Sequence, residues 1–220
     1  MDAKHILCYG DSNTWGCIGN WIETTVPTKR YDEQTRWPCV LQADLGENFR
    51  IVEEGLGGRS TIYTREGEEW KSGEMYLKPC LHSHRPLDLV IIMLGTNDEK
   101  FFFGMSPYMI ARGAERLIEK VRQGGYGPGG KSPEILLMCP IRLHENMLSS
   151  WLAEEFGQHS LDVDAKLSRY LEEKAKALGV HFLDAGAYVT ADPADGIHMN
   201  EEGHAILAEK VIAKVKEIIG

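Results

Sequence analysis

The sequence predicts an α/β protein with a flavodoxin-like, doubly wound five-stranded parallel sheet that carries helices on both faces. Three observations predict this fold: five short apolar runs of strand length, helical periodicity in the segments between them, and the absence of an internal repeat or linker along 220 residues. Because 43% of the residues are hydrophobic, one sizeable core can form, and we predict a single domain over residues 1–220.

The first two predicted strands flank a helix. Residues 6–9 form a buried apolar run that ends at Gly10, and residues 49–52 form a second short strand. Between them, residues 37–45 have helical spacing and are followed by Gly46, a residue type that commonly terminates helices. This order is the start of a βαβ unit.

The remaining strands are predicted at residues 88–94, 135–139 and 180–183. The run 88–94 gives the strongest signal, since it is continuous and rich in β-branched residues, as in a parallel strand covered on both faces. The fourth strand stops at Pro140, and the glycine-rich segment 124–133 before it is predicted to be a loop.

Three further helices are predicted between and after these strands. Ser106 supplies an N-cap and Pro107 the first helical position of a helix that runs to about residue 123. Residues 161–178 and 201–219 are also helical. Since crossovers between parallel strands are right-handed, a flavodoxin-like strand order is favoured, with the site beyond the carboxyl ends of the strands.

Composition excludes several classes of function. The formal net charge of −9 argues against nucleic acid, and the apolar runs are too short for a signal peptide or a membrane span. The five cysteines form no CxxC pair, which indicates reduced thiols in a cytoplasmic protein. We predict no metal site: His82 and His84 could hold an ion, but a solvated pair before Pro86 is favoured.

Four polar groups follow predicted strands and should meet at one edge of the sheet. Ser12 follows the first strand, Gly58 the second and Asn97 the third, and Asp195 and His198 follow the fifth. A histidine can take the proton of a serine hydroxyl, and a carboxylate can orient that histidine. The backbone N–H groups of Ser12 and Gly58 and the side-chain amide of Asn97 are suitable donors to an oxyanion.

Each of these signals has a structural alternative when it stands alone, such as an N-cap or a turn, and their joint order favours catalysis. Asp184, at the end of the fifth strand, is the rival orienting acid; Asp195 is preferred because only two residues separate it from the histidine. Asp11 is predicted to brace the turn around the serine through backbone hydrogen bonds, and Asp98 and Asp192 are interpreted as turn residues.

The segments 10–12, 57–58, 95–98 and 195–198 resemble the four signature blocks of the SGNH (GDSL-type) hydrolases, and longer phrases such as 87–98 are similar to their bacterial arylesterase and acyltransferase branch. The resemblance covers nearly the whole chain. It implies a three-layer α/β/α fold and no cofactor. It also implies a set of site residues: Ser12, His198 and Asp195 as a triad, Ser12, Gly58 and Asn97 as the oxyanion hole, and Trp15 and Ile197 as pocket residues.

The sequence departs from the family pattern at position 13, where Asn13 replaces the leucine of the motif's name; we expect an altered pocket mouth and an unaltered triad. The segments 17–35 and 141–158 should set specificity. The resemblance also implies a homo-oligomer. Several aromatic residues are the candidate contacts, with packing under loops as the alternative: Trp21, Trp70, Trp151 and residues 101–103.

The function predicted from these features is a cytoplasmic esterase or acyltransferase that acts on short-chain, acetyl-type esters, with small-molecule ester and alcohol substrates. A deacetylase of acetylated sugars is the alternative within the enzyme class. A non-catalytic small-ligand-binding module is the alternative outside it, and a lipid-surface enzyme with residues 145–158 as a lid is a weaker one.

Overall fold

The structure, a computed structural model, describes residues 3–19 and 29–220. Within these residues, five parallel strands form one sheet in the order β2-β1-β3-β4-β5, which confirms the predicted flavodoxin-like arrangement. The strands are β1 (Lys4–Gly10), β2 (Phe49–Gly55), β3 (Leu89–Met93), β4 (Glu134–Cys139) and β5 (His181–Asp184).

Helices cover both faces of the sheet and make three layers. In chain order they are the single turn α1 (Ser12–Trp15), then α2 (Trp37–Leu45), α3 (Gly73–His84), α4 (Pro107–Gln123), α5 (Gln158–Leu178) and α6 (Glu201–Ile219). The predicted cap of α4 is confirmed, because the Ser106 side chain accepts a hydrogen bond from the Met109 N–H and Pro107 occupies the first turn.

The alternation of side chains along β1 divides the core into two halves. Leu7 and Tyr9 pack on the side of α3, α4 and α5, whereas Ile6 and Cys8 pack on the side of α2 and α6. A strand that is apolar on both faces suits a parallel sheet covered by helices, so the short apolar runs were sufficient to locate the strands.

Helix α3 was absent from the predicted elements. Its sequence begins with Gly73 and carries Pro79 inside the helix, and both residue types oppose helix formation. Leu77, Cys80 and Leu81 are nevertheless buried against the sheet, and this packing outweighs the local propensity.

Among the helices of residues 3–19 and 29–220, none is long and apolar enough to cross a membrane.

Candidate active site

The carboxyl ends of the strands open into a cavity of about 410 Å³. Five of the predicted site residues line it directly: Ser12, Gly58, Asn97, Ile197 and His198. Ser12 is the first residue of α1, directly after β1, and Asn97 lies in the short 3-10 turn Thr96–Glu99 after β3. Loops far apart in the sequence therefore meet in one cleft, as the predicted topology requires.

A hydrogen-bonded line runs from the serine through the histidine to an aspartate. The Ser12 Oγ lies 2.9 Å from His198 Nε2, and His198 Nδ1 lies 2.6 Å from Asp195 Oδ2. All three side chains are buried. This is the spacing that lets an imidazole accept a hydroxyl proton while a carboxylate fixes its tautomer.

Local hydrogen bonds within the segment 195–198 hold Asp195 and His198 in position. The second carboxylate oxygen of Asp195 accepts hydrogen bonds of 2.9 Å from both the Ile197 and His198 N–H groups. Gly196 has φ of +78°, and a Cβ at this position would lie 2.4 Å from the backbone nitrogen of Met147. The turn therefore needs glycine for both its backbone angle and its contact with the segment 144–147.

The pKa values of the pair shift in opposite directions. Burial alone would lower the pKa of His198, but the Asp195 carboxylate, helped by the neighbouring Cys17 thiol, raises it above the ordinary value. Burial alone would raise the pKa of Asp195, yet its hydrogen bonds with His198 hold the pKa below the usual range. The carboxylate thus favours the protonated imidazole, which strengthens His198 as a base.

The rival carboxylate lies elsewhere. Asp184, at the end of β5, accepts a hydrogen bond of 2.5 Å from the Ser168 hydroxyl and lines a separate cleft beside Lys210. The structure therefore brings Asp195, and not Asp184, to His198.

The two segments that carry the predicted oxyanion donors Gly58 and Asn97 are connected by hydrogen bonds. The Asn97 side-chain amide donates to the Arg59 carbonyl over 3.2 Å, directly after Gly58, whose φ is +78°. Asp98, which the sequence suggested was a turn residue, is fully buried, and its carboxylate accepts from the Thr61 N–H at 2.9 and 3.1 Å. Burial raises the pKa of Asp98 to about 7 although the bonds from Thr61 oppose that shift. This carboxylate anchors the loop that carries Gly58, a role that sequence reasoning missed.

Two other acidic residues have the roles that the sequence predicts. Asp11 accepts a hydrogen bond of 2.9 Å from the Asn13 N–H and so braces the turn around Ser12. Asp192 accepts from the Ala194 N–H at 2.8 Å, as a turn residue does.

Asn13 has a different role from the one expected at the pocket mouth. The side chain is 2% exposed, its Nδ2 donates to the Ile197 carbonyl over 3.1 Å, and its Oδ1 accepts from the Met199 N–H over 2.9 Å. The expectation of an altered pocket mouth is therefore wrong. Asn13 connects α1 to the residues before and after His198 and so helps to hold that histidine in position.

The two predicted pocket residues are placed differently. Ile197 lines the cavity. Trp15 is not among the described residues that line it, and its indole instead packs under the Arg30 guanidinium, 5.2 Å from the ring centroid. The arrangement therefore gives the predicted pocket role of Trp15 no support.

The rim of the cavity, which we define as Trp70, Lys71, Lys100, Trp151 and Glu155, includes two residues of the predicted specificity segment 141–158 and two predicted contact residues, Trp70 and Trp151. Trp70 and Trp151 are 57% and 54% exposed. Lys100 and Glu155 form an ion pair across it at 2.5 Å.

The segment 141–158 contributes Trp151, Leu152, Glu155 and Phe156 to the cavity wall, in line with its predicted influence on specificity. Phe101 is also exposed, and Trp21 lies outside the described residues.

The sequence predicts that His82 and His84 form a solvated pair, and this prediction is wrong for His84. His82 is exposed and stacks edge-on against Tyr126, but His84 is half-buried and its Nε2 lies 2.9 Å from Glu54 Oε1. Both lie on α3, the helix that the sequence did not reveal.

The chain is similar to several known proteins. Residues 8–206 match the model of the GDSL-like lipase/acylhydrolase family. The M. smegmatis aryl esterase is 36% identical, with a TM-score of 0.88 over 99% of this chain and 100% of that one. A carbohydrate acetylesterase from Sinorhizobium meliloti is 36% identical, with a TM-score of 0.90 over 98% of this chain and 100% of that one.

A curated relative is similar over nearly the whole chain. This protein, an acetylxylan esterase from Xylanibacter ruminicola, is 27% identical over 98% of this chain. The chain spans 44% of that relative's length.

Proposed function

The chain belongs to the GDSL-like lipase/acylhydrolase family, and from this premise we propose that it is a serine esterase for short-chain, acetyl-type esters of small molecules. The observation that carries the proposal is the line from Ser12 through His198 to Asp195, with distances of 2.9 and 2.6 Å. A non-catalytic binding module on the same sheet has no need of such a line.

Acylation of Ser12 is the first half of the reaction. As the Ser12 Oγ bonds to the ester carbonyl carbon, His198 Nε2 takes the hydroxyl proton, and Asp195 stabilises the imidazolium that results. When the tetrahedral intermediate collapses, the bond to the leaving oxygen breaks and His198 returns the proton to that oxygen. The alcohol leaves and the acyl group stays on Ser12.

The negative charge of the intermediate is held by three donors. The donors are the N–H groups of Ser12 and Gly58 and the Asn97 side-chain amide, and the fact that all three residues line the cavity supports this assignment. Loss of one such donor typically lowers kcat by about 10²–10³-fold. The hydrogen bond from the Asn97 amide to the Arg59 carbonyl, and that from the Thr61 N–H to the Asp98 carboxylate, would keep these donors in place before substrate arrives.

Deacylation repeats the same steps with a second nucleophile. His198 takes a proton from water or from an alcohol as its oxygen bonds to the acyl carbon. When this second intermediate collapses, the bond between the acyl carbon and Ser12 Oγ breaks, His198 returns the proton to Oγ, and the acid or the new ester leaves. Ile197, Leu152 and Phe156 make one wall of the cavity apolar. Such a wall favours an alcohol over water, so acyl transfer is part of the proposal.

The direct test is the substitution Ser12→Ala, assayed by release of p-nitrophenol from p-nitrophenyl acetate. Activity should fall to the background rate while circular dichroism shows an unchanged fold. Undiminished release by a folded variant would refute the proposal. A series of p-nitrophenyl esters from acetate to decanoate, with and without added alcohol, measures the acyl limit and the share of transfer.

A second candidate function is removal of acetyl groups from sugars. The two exposed indoles of the rim favour it, because flat aromatic faces stack on the apolar faces of pyranose rings. Two of the similar proteins are named for acetylated carbohydrates. Release of acetate from acetylated xylose, compared with p-nitrophenyl acetate, distinguishes the two substrate classes.

We also propose a cytoplasmic location and self-association. All five cysteines are free thiols, as is usual in a reducing compartment. Trp70 and Trp151 line the cavity and expose large apolar surfaces, so a second copy that packs on them would narrow the entrance. Light scattering at working concentration measures the oligomeric state.

A further inference from the structure

Away from the cavity, three side chains with metal-binding atoms meet between β2 and α3. Glu54 comes from β2, and Cys80 and His84 come from α3. We infer that these three residues form a binding site for a divalent ion of the zinc class.

The ligand atoms of the three side chains lie close together. Cys80 and His84 stand four residues apart on α3, which places them on the same face of the helix. His84 Nε2 lies 2.9 Å from Glu54 Oε1, and the ligand atoms of all three residues lie within 4.8 Å of one another. A tetrahedral ion with bonds of about 2.0–2.3 Å needs ligands roughly 3–4 Å apart, so only small side-chain movements are required.

The donor set selects the kind of ion. Thiolate, imidazole and carboxylate together suit zinc and its neighbours in the transition series, whereas magnesium and calcium prefer oxygen ligands alone. Three protein ligands leave a fourth position for water. The Cys80 side chain is buried, but those of Glu54 and His84 are 18% and 30% exposed, so an ion can enter from solvent.

Glu53, the neighbour of Glu54 on β2, is a carboxylate with a purely structural role and serves as a comparison. Glu53 points to the opposite face and also meets a thiol, since Cys39 Sγ lies 3.0 Å from its Oε1. There, however, Arg36 lies 2.9 Å from the same carboxylate, with Arg30 at 3.2 Å. Two cations neutralise Glu53 and would repel a metal ion.

Glu54 has a different set of neighbours. Among the described residues, its carboxylate contacts His84, the Cys80 thiol and, at 3.3 Å, the Tyr76 hydroxyl. Arg59 lies close by, where it stacks over the rings of Tyr9 and Tyr76 and donates to the backbone carbonyls of Gly10 and of Glu54 itself. Among the described residues, however, no lysine or arginine forms an ion pair with the Glu54 carboxylate, which therefore keeps its negative charge for an ion.

Such an ion would fasten α3 to the edge strand β2. It would act on the fold and not on the reaction, because neither Ser12 nor His198 touches the cluster. The inference is therefore independent of the proposed esterase activity.

The test is a cobalt titration of tag-free protein that has been dialysed against a chelator. Cobalt takes the place of zinc and gives a thiolate-to-metal charge-transfer band when a cysteine binds it. One cobalt ion per chain should bind with such a band, zinc should displace it, and zinc should raise the Tm. Absence of both the band and a Tm rise would overturn the inference.

Matched variants locate the ion. Cys80→Ser should abolish the band, and His84→Ala and Glu54→Gln should each weaken binding by at least about tenfold. His82→Ala, on the same helix, and Cys39→Ser, the thiol beside Glu53, should leave binding unchanged. Loss of the band in Cys17→Ser or Cys39→Ser, with Cys80→Ser unaffected, would also overturn the inference. His84 is half-buried, so its variant gives an answer even if Cys80→Ser does not fold.

Ser12→Ala serves as the last control. It should bind cobalt as the native chain does, whether or not it retains esterase activity.

Discussion

The floor and the rim of the cavity differ in burial. The floor, which we define as Ser12, Asn97, Asp195 and His198, has only buried side chains that are held by hydrogen bonds. In the rim, by contrast, Trp70 and Trp151 are more than half exposed. The floor rests on contacts from three loops, and each of its polar groups has a defined partner. The rim is held by partly exposed ion pairs such as Lys100–Glu155, whose side chains are 12% and 35% exposed.

The difference indicates separate tasks. Buried hydrogen bonds between fixed groups define one geometry, as bond making and breaking requires. Exposed ion pairs contribute only about 0–1 kcal/mol each and leave the side chains free to adjust, as suits the recognition of varied alcohols or sugars. Substitutions in the floor should therefore change kcat for every substrate, and substitutions in the rim should change KM for some.

The largest effect is expected for Asp195→Asn. Loss of the carboxylate removes the group that orients His198 and should lower kcat by roughly 10⁴-fold, as in other serine triads. Asp184→Asn is the matched control and should change kcat by less than about threefold, because Asp184 bonds to Ser168 and not to the histidine. Steady-state kinetics with p-nitrophenyl acetate measures both. If Asp184→Asn were the more damaging change, the orienting acid would have to be reassigned.

The pH profile tests the electrostatics of the floor. Activity requires a neutral His198, and Asp195 raises the pKa of that imidazole, so the acid limb of kcat/KM should lie above about pH 6.5, the usual histidine value. Asp195→Asn removes the stabilisation of the imidazolium, and the limb of its residual activity should move to lower pH by about one unit or more. A limb that stays in place or moves to higher pH contradicts the assignment.

A smaller effect is expected for Asn13→Leu. Leucine fills the space but leaves the Ile197 carbonyl and the Met199 N–H buried without their partners, at a cost of about 1–3 kcal/mol each. The Tm should fall clearly, and kcat several-fold, because His198 lies between these two groups. Asn48→Leu, at an exposed position, is the control and should change stability by no more than about 0.5 kcal/mol. Equal stability of the two variants would show that Asn13 does not support the floor.

The smallest effects belong to the rim. Trp70→Ala and Trp151→Ala should raise KM for acetylated xylose by roughly five- to thirty-fold, which corresponds to about 1–2 kcal/mol for an indole face covered by a sugar ring. KM for p-nitrophenyl acetate should change less than about twofold. Tyr188→Ala, an exposed aromatic residue on a separate cleft, is the control. Equal losses on both substrates would remove the distinction between floor and rim.

Sequence reasoning located the floor because its signals are local. Asp195 and His198 are three residues apart, and Ser12 directly follows a strand whose apolar pattern is unmistakable. The strand order followed from handedness once the strands were known.

What the sequence did not reveal depends on distant contacts. Asn13 binds Ile197 across 184 residues, and Asp98 binds Thr61 across 37, so neither role has a local pattern. The exposure of Trp70 and Trp151 is decided by tertiary packing. Helix α3 forms although its glycine and proline oppose helix formation. Because the sequence did not predict this helix, it also did not reveal that Cys80 and His84 lie beside Glu54.

The central claim is that Ser12 is the nucleophile, and covalent labelling tests it most directly. Diethyl p-nitrophenyl phosphate should transfer its diethyl phosphoryl group to Ser12 Oγ with release of p-nitrophenolate, and intact-protein mass spectrometry should show one label per chain. Peptide sequencing should place the label on Ser12, and His198→Ala should prevent it. A label on Cys17, or full labelling of Ser12→Ala, would contradict the account.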